Sequence, residues 1–138
     1  MVISKKVYRD IMRTLGSLDA ECGGVLAVDK DNVISDYFFD QRAGSGKKCY
    51  IPSRSVAEHI RDNWQKSGLD FCGIIHSHPL DTLCKPSNPD VEASLKIMTA
   101  NEMDSILMAI VRGHELRMFR ICNSDNVPYR ETDIEIGN

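Results

Sequence analysis

His76 and His78 stand one residue apart, and Asp90 follows twelve residues after His78. Two imidazoles and a carboxylate are the donor set of a three-ligand tetrahedral zinc site, with nitrogen and oxygen about 2.0–2.2 Å from the ion and the fourth position open to water. An open position distinguishes a catalytic zinc from a structural one. The surrounding sequence decides whether the three can meet. Residues 70–75, DFCGII, are largely apolar and run straight into the histidines. They predict a buried strand whose alternate residues share a face, so that His76 and His78 point the same way. A loop from Pro79 to Pro86 then leads to Ser87, Asn88, Pro89 and Asp90, which read as a helix start. A chain that leaves a strand end and returns over it as a helix can put a first-turn carboxylate beside the strand's last side chains. Each piece also has a plain structural explanation: Ser87 and Asp90 as a capping box or its near relative, Pro89 as a first-turn proline, the histidines as strand-end residues.

A fourth residue extends the chemistry. Glu21 lies in ECGGVLAV, where a carboxylate precedes two glycines and an apolar strand. Glycines there permit close approach of a ligand or a neighbouring strand. A glutamate beside an activated water can take its proton as a general base. Composition alone makes Glu21 a solvated loop residue, the commoner fate of a glutamate.

In order, Glu21, Gly23, Gly24, His76, Ser77, His78, Pro79, Ser87 and Asp90 resemble the JAMM motif of the MPN-plus (Jab/MPN) zinc metalloproteases. The motif runs Glu, Gly-Gly and an apolar strand, His-Ser-His-Pro, a loop, then Ser-x-x-Asp, and here it spans about half the chain. The resemblance implies one zinc per chain held by His76, His78 and Asp90. It implies Glu21 as the base that deprotonates water and then protonates the leaving amine, and Ser87 as a hydrogen-bond donor to the developing oxyanion. It further implies a hydrolase of peptide or isopeptide bonds, a deubiquitinase-like activity on the tail of a ubiquitin-like or sulfur-carrier protein. Two departures stand out. The loop between Pro79 and Ser87 holds seven residues, one more than is usual in the family, and Val28 stands where a glycine commonly ends the Glu-Gly-Gly segment. The extra residue must be absorbed before the helix begins if Asp90 is to reach the histidines. The chain leaves no room for the long insertions with which eukaryotic deubiquitinases of the family grip ubiquitin, so a minimal, prokaryotic type is the expectation. The alternatives are a non-catalytic MPN scaffold module, whose relatives commonly lose the ligands kept here, and a zinc hydrolase of a small-molecule amide.

A length of 138 residues suits one domain, residues 1–138, able to bury a substantial core. The net charge of −3 and the absence of a dense basic tract argue against a nucleic-acid surface. No apolar run approaches twenty residues, and MVISKKVYRD lacks a signal peptide's apolar core, so neither a membrane segment nor export is expected. Cys22, Cys49, Cys72, Cys84 and Cys122 are odd in number and form no Cys-x-x-Cys pair. Reduced thiols in a cytoplasmic protein are the simplest account. Cys22 and Cys84 are nearest in sequence to the proposed site, where a redox or ligand role competes with the usual one of a small hydrophobe.

The elements that must position these residues follow from periodicity. Ser4 caps a first helix in which Val7, Ile11 and Leu15 recur at four-residue spacing, with Gly16 after its end. Val25–Asp29 and Val33–Asp40 predict two strands around a turn at Asn32. The stretch QRAGSGKK is a loop, and it lacks the early glycine and the Ser or Thr that a phosphate loop requires. A short strand near Cys49 to Ile51 precedes a helix capped by Ser55 and Glu58, with Val56, Ile60 and Trp64 on its core face and an end near Gly68. His59 in that helix and His114 in a turn lack partners at ligand spacing. After Asp90, the residues Val91, Leu95 and Met98 mark the apolar stripe of a third helix; Ile106–Val111 and Leu116–Cys122 form a hairpin, and a last edge strand holds Ile134 and Ile136. The sum is an α/β fold, a mixed central sheet flanked by helices. The resemblance implies the layered MPN architecture, which is similar to that of cytidine deaminases. The missing His-x-Glu and Pro-Cys-x-x-Cys signature argues against deaminase chemistry itself.

Overall fold

The computed structural model describes residues 1–17, 22–41, 50–123 and 127–137. Its described strands join in one sheet in the order β7-β6-β5-β4-β2-β3-β1-β8. In chain order these are β1 (Val2–Ser4), β2 (Gly23–Val28), β3 (Val33–Phe39), β4 (Asp70–Ser77), β5 (Ser105–Arg112), β6 (Glu115–Cys122), β7 (Arg130–Thr132) and β8 (Glu135–Gly137). The β1–β3, β1–β8 and β4–β5 pairs are parallel and the rest antiparallel.

The sheet must curl, and the chain shows why. β7 ends at Thr132 and β8 begins at Glu135, yet they occupy opposite edges. Three residue steps reach about 11 Å at most, whereas eight flat strands at about 4.8 Å spacing would separate the edges by roughly 34 Å. The two-residue link therefore requires the edges to approach each other. The expected last edge strand exists as β8, and β7 is an additional short strand on the other edge.

Two apolar layers cover the sheet. Helix α1 (Lys5–Thr14) is capped by Ser4, whose hydroxyl accepts the Val7 N–H at 3.2 Å. It turns Val7 and Ile11 inward, with Leu15 following in a 3₁₀ turn, against Leu26, Ile34, Ile75, Leu107 and Met118. On the other side, Trp64, Val56 and Met98 pack on Val25, Ile74, Met108 and Ile110. Strand alternation feeds both layers, since Ile75 faces α1 while Ile74 faces the opposite layer.

Several local expectations are corrected. Tyr50 and Ile51 lie in no strand, and Cys49 with the loop residues 42–48 lies outside the described residues. Tyr50 instead points its hydroxyl at the buried Asp40, 2.8 Å away, and strand pairing gives way to that polar contact. Helix α2 (Arg54–His59) is preceded by Ser53 rather than capped by Ser55 and Glu58. Ser53 spends its hydroxyl and its N–H on Asp40, so the cap position makes no side-chain bond to the helix. The helix continues as a π turn, Ile60–Trp64, and a 3₁₀ turn, and it stops at Gly68, whose φ of 72° is the left-handed conformation that favours glycine. Trp64 is core, 1% exposed, and donates its indole N–H to Asp36 at 2.7 Å. His59 stacks on Phe38 at 4.2 Å between ring centroids, and His114 is exposed in the β5–β6 turn. Between β2 and β3, Asn32 takes a φ of 60° without a glycine beside it. Asp29 makes that possible by accepting the N–H groups of Asp31 and Val33 through its carboxylate.

The third helix, α3 (Asn88–Ala100), buries the row Asp90, Ser94 and Met98, while Val91 and Leu95 are only partly covered. Met98 holds the buried place expected of it, while Asp90 and Ser94 take those expected for Val91 and Leu95. The reason is that Asp90 faces inward to the histidines, and a helix that buries residue i buries i+4 and i+8 with it.

Candidate metal centre

β4 carries His76 next to its last residue, and His78 follows one residue past its end. The β-type spacing still holds there, because the His78 N–H donates to the Val111 carbonyl at 2.8 Å. Both side chains therefore project to the α3 side, with ring centroids 4.8 Å apart. α3 begins above them. Ser87 and Asp90 form a complete capping box: the Ser87 hydroxyl accepts the Asp90 N–H at 3.2 Å, and Asp90 Oδ2 accepts the Ser87 N–H at 2.9 Å. The structural and the ligand readings of Ser-x-x-Asp are thus compatible, since the cap aims Asp90 at the histidines.

The extra loop residue is absorbed. Thr82 N–H closes a turn on the Pro79 carbonyl, Arg112 donates to the Thr82 carbonyl at 3.2 Å, and Cys84 is buried against β5. As a result Asp90 Oδ2 lies 3.2 Å from His76 Nε2 and 3.3 Å from His78 Nε2, and the two nitrogens are 2.9 Å apart. Among the described residues these three form the group of His, Cys, Asp or Glu side chains that could hold a metal ion. Neither Cys22 nor Cys84 belongs to it. Burial raises both thiols, that of Cys84 to about 11, which leaves little thiolate for ligation or oxidation.

The protonation of this cluster tests the fit to a cation. His78 Nδ1 lies 2.8 Å from the Leu83 carbonyl, which can only accept, so the proton of the neutral ring sits on Nδ1 and the lone pair on Nε2. Such a second bond is the usual device that fixes a metal-binding histidine. Burial alone would raise the Asp90 carboxyl, but the adjoining His76 and His78 rings and the Ser87 N–H outweigh burial and hold it well below the usual carboxylate range. The site is 4% exposed at most. A proton on His76 Nε2 could serve one neighbour, leaving the His78 lone pair against a carboxylate oxygen. A cation would satisfy all three atoms together. Ligands about 2.05 Å from a tetrahedral ion lie about 3.3 Å apart, close to the spacings here. Nitrogen, nitrogen and carboxylate oxygen are also a donor set that zinc accepts.

The glycine pair is explained by contact. A methyl group on Gly23 would meet the Tyr50 ring at 2.5 Å and the Ile75 carbonyl at 2.7 Å, and one on Gly24 would meet the Phe38 carbonyl at 2.2 Å. Gly23 pairs with His76, so the Tyr50 ring lies over the strand beside the metal group. Ser77, between the histidines, faces the other way. Its hydroxyl accepts the Cys22 N–H at 3.0 Å, and its own N–H donates to the Cys22 carbonyl at 2.8 Å. Cys22 is thereby pinned to the strand that bears the histidines. Glu21 itself lies outside the described residues. Sequence reasoning missed the roles of Leu83 and Ser77, and the buried Asp40–Tyr50–Ser53 network. Leu83 acts through its backbone, which leaves no sequence signal, whereas Ser77 between the histidines was visible as a polar residue on the buried face of a strand.

No protein-family model matches the chain, and no curated protein matches it in sequence. Solved structures do. A protein of Desulfitobacterium hafniense, solved in solution, superposes with a TM-score of 0.70 at 19% identity, over 99% of this chain and 93% of that one. A Jab1/MPN domain protein of Archaeoglobus fulgidus gives 0.59 at 17% identity over 100% of both chains. A third, described as JAMM, a metalloprotease-like zinc site in the proteasome and signalosome, gives 0.55 at 14% identity over 100% of this chain and 98% of that one. At such identities the likeness concerns the fold: the curled mixed sheet with its helices is the Jab1/MPN fold.

Proposed function

We propose that this protein is a zinc-dependent hydrolase of peptide or isopeptide bonds, of the JAMM type, acting on an extended tail such as the C-terminus of a ubiquitin-like or sulfur-carrier protein. The observation that carries the reading is the convergence of His76 Nε2, His78 Nε2 and Asp90 Oδ2 within one buried cluster. His76, His78 and Asp90 would hold the zinc, which when bound supplies a Lewis acid and an acidified water. Peptide-bond chemistry is suggested by the likeness to a metalloprotease-like zinc site, and the tailed substrate by the resemblance of the motif to the JAMM family.

The remaining chemistry belongs to the chain's own side chains. Asp90 is kept ionised and aimed by the cap that starts α3. Ser87 accepts a bond from the Asp90 N–H, which uses an oxygen lone pair and leaves the hydroxyl proton to donate to the oxygen of the scissile carbonyl. Glu21 is assigned the proton transfers, from the attacking water and then to the leaving nitrogen. Its chain neighbour Cys22 is held by Ser77, and Gly23 pairs with His76, so Cys22 and Gly23 lie at the end of the sheet that bears the histidines, which supports the assignment.

Zinc per chain, measured by elemental analysis on protein purified without chelator, tests the ligand set. The expected result is near one in the wild type and near zero in a His76→Ala, His78→Ala double variant. Zinc absent from the wild type after metal addition would favour a non-catalytic scaffold. Glu21→Gln should keep its zinc and lose turnover on tailed protein substrates by about 10²–10⁴-fold. A variant that still hydrolyses would remove Glu21 from the mechanism. Faster cleavage of small amides than of tailed proteins would redirect the substrate assignment.

A further inference from the structure

Among the described residues, two polar side-chain atoms at the interface between α3 and the sheet are buried with no hydrogen-bond partner: His76 Nδ1 and Ser94 Oγ, each on a residue that is 0% exposed. The asymmetry with His78 is informative. His78 gives its second nitrogen to the Leu83 carbonyl, whereas His76 gives its second nitrogen to nothing described. In either tautomer Nδ1 needs a partner, as an N–H donor or as a lone-pair acceptor, and a buried polar atom without one is costly.

Ser94 is equally unusual for a helical hydroxyl. Thr14 and Thr99 bond back to the carbonyls of Asp10 and Leu95, four residues earlier in their helices. Ser94 makes no such bond and sits in the buried row Asp90, Ser94, Met98. One turn separates it from Asp90, whose carboxylate touches the His76 ring. Side chains four apart on a helix share a face, so Ser94 and Asp90 both meet the side of β4 on which His76 lies.

We infer that a buried water bridges His76 Nδ1 and Ser94 Oγ, so that Ser94 is a positioning residue for His76. Buried waters typically settle where otherwise unpaired polar groups face one another in an apolar layer. The consequence for zinc rests on the metal reading above, but the water does not. The bridge fixes the orientation of the His76 ring, which the Leu83 carbonyl does directly for His78.

High-resolution crystal structures of the metal-free and zinc-soaked protein test the water itself. The expected result is an ordered peak within hydrogen-bond distance of both atoms in either state, and its loss in Ser94→Ala. An empty gap, or a protein group bonded to His76 Nδ1, would overturn the inference. Alanine is the best helix former, so this variant should fold. Zinc affinity by chelator competition should fall about 10–100-fold in Ser94→Ala. Leu95→Ala, which trims packing one residue along, should lower the melting temperature and leave affinity in place. Wild-type zinc affinity in Ser94→Ala would refute the positioning role. A wild type that takes up no zinc would defeat the metal reading alone, because the water is read in metal-free crystals.

Discussion

The two sides of β4 lead to two different interiors. Ile75 enters the layer around α1, where Val7, Ile11, Leu26, Leu107 and Met118 meet with little polar content. Ile74 and His76 enter the other, where an apolar floor of Met108, Ile110 and Trp64 lies below Asp90, Ser94 and the paired imidazoles. An apolar layer is forgiving, because its contacts are non-directional and a volume change costs in proportion to its size. A buried polar cluster is not, because each atom must find its partner in a low dielectric. The polar group occupies the end of the sheet where β4 and α3 meet, and the apolar layers hold it there.

The sharpest way to separate the two interiors is Asp90→Asn. Asp90 Oδ2 alone meets the Ser87 N–H and both histidines, so an asparagine that keeps its carbonyl on Ser87 preserves the cap and loses the charge that would face a cation. Zinc affinity should fall by more than about a hundredfold, beyond what loss of an outer-shell partner causes, while the metal-free protein stays folded. Loss of the fold in metal-free Asp90→Asn would show that the cluster is structural. Ile11→Ala should do the reverse. Truncating a fully buried isoleucine costs about 2–5 kcal/mol in urea unfolding, with zinc per folded chain unchanged. Zinc lost in that variant would mean that the two layers are coupled through β4.

Tyr50→Phe probes the boundary, since it strips one donor from the buried Asp40 carboxylate while leaving the ring over Gly23. A stability loss of about 1–3 kcal/mol is expected, with no change in zinc binding. The smallest effect belongs to Ser4→Ala, which removes the α1 cap far from the metal group and should cost about 1 kcal/mol. Equilibrium denaturation resolves both.

Much of this was legible in the residues. The His-x-His spacing on a strand, the Ser-x-x-Asp helix start, the Ser4 cap and the β5–β6 hairpin all appear where their local patterns put them. Local patterns failed where a distant residue set the terms. Ser53 precedes α2 in place of Ser55 because Asp40 claims its hydroxyl and N–H, and Asp90 and Ser94 take the buried places of α3 expected for Val91 and Leu95 because Asp90 must face two histidines on another element. The consequence of the seven-residue loop could not be read from its length. It closes a turn at Pro79–Thr82 and supplies the Leu83 carbonyl to His78.

By itself the sequence determined which chemistry is available: the ligand types, their order, the faces on which strand alternation places them, and the glycines that let Tyr50 and β3 approach. Tertiary structure alone decided whether that chemistry assembles. Side-chain identity and periodicity are local properties, but distances of 2.9–3.3 Å among atoms on β4, past its end and on α3 depend on how a loop is absorbed and how a curled sheet seats a helix. The tautomer of His78 likewise follows from a backbone carbonyl that no residue type encodes.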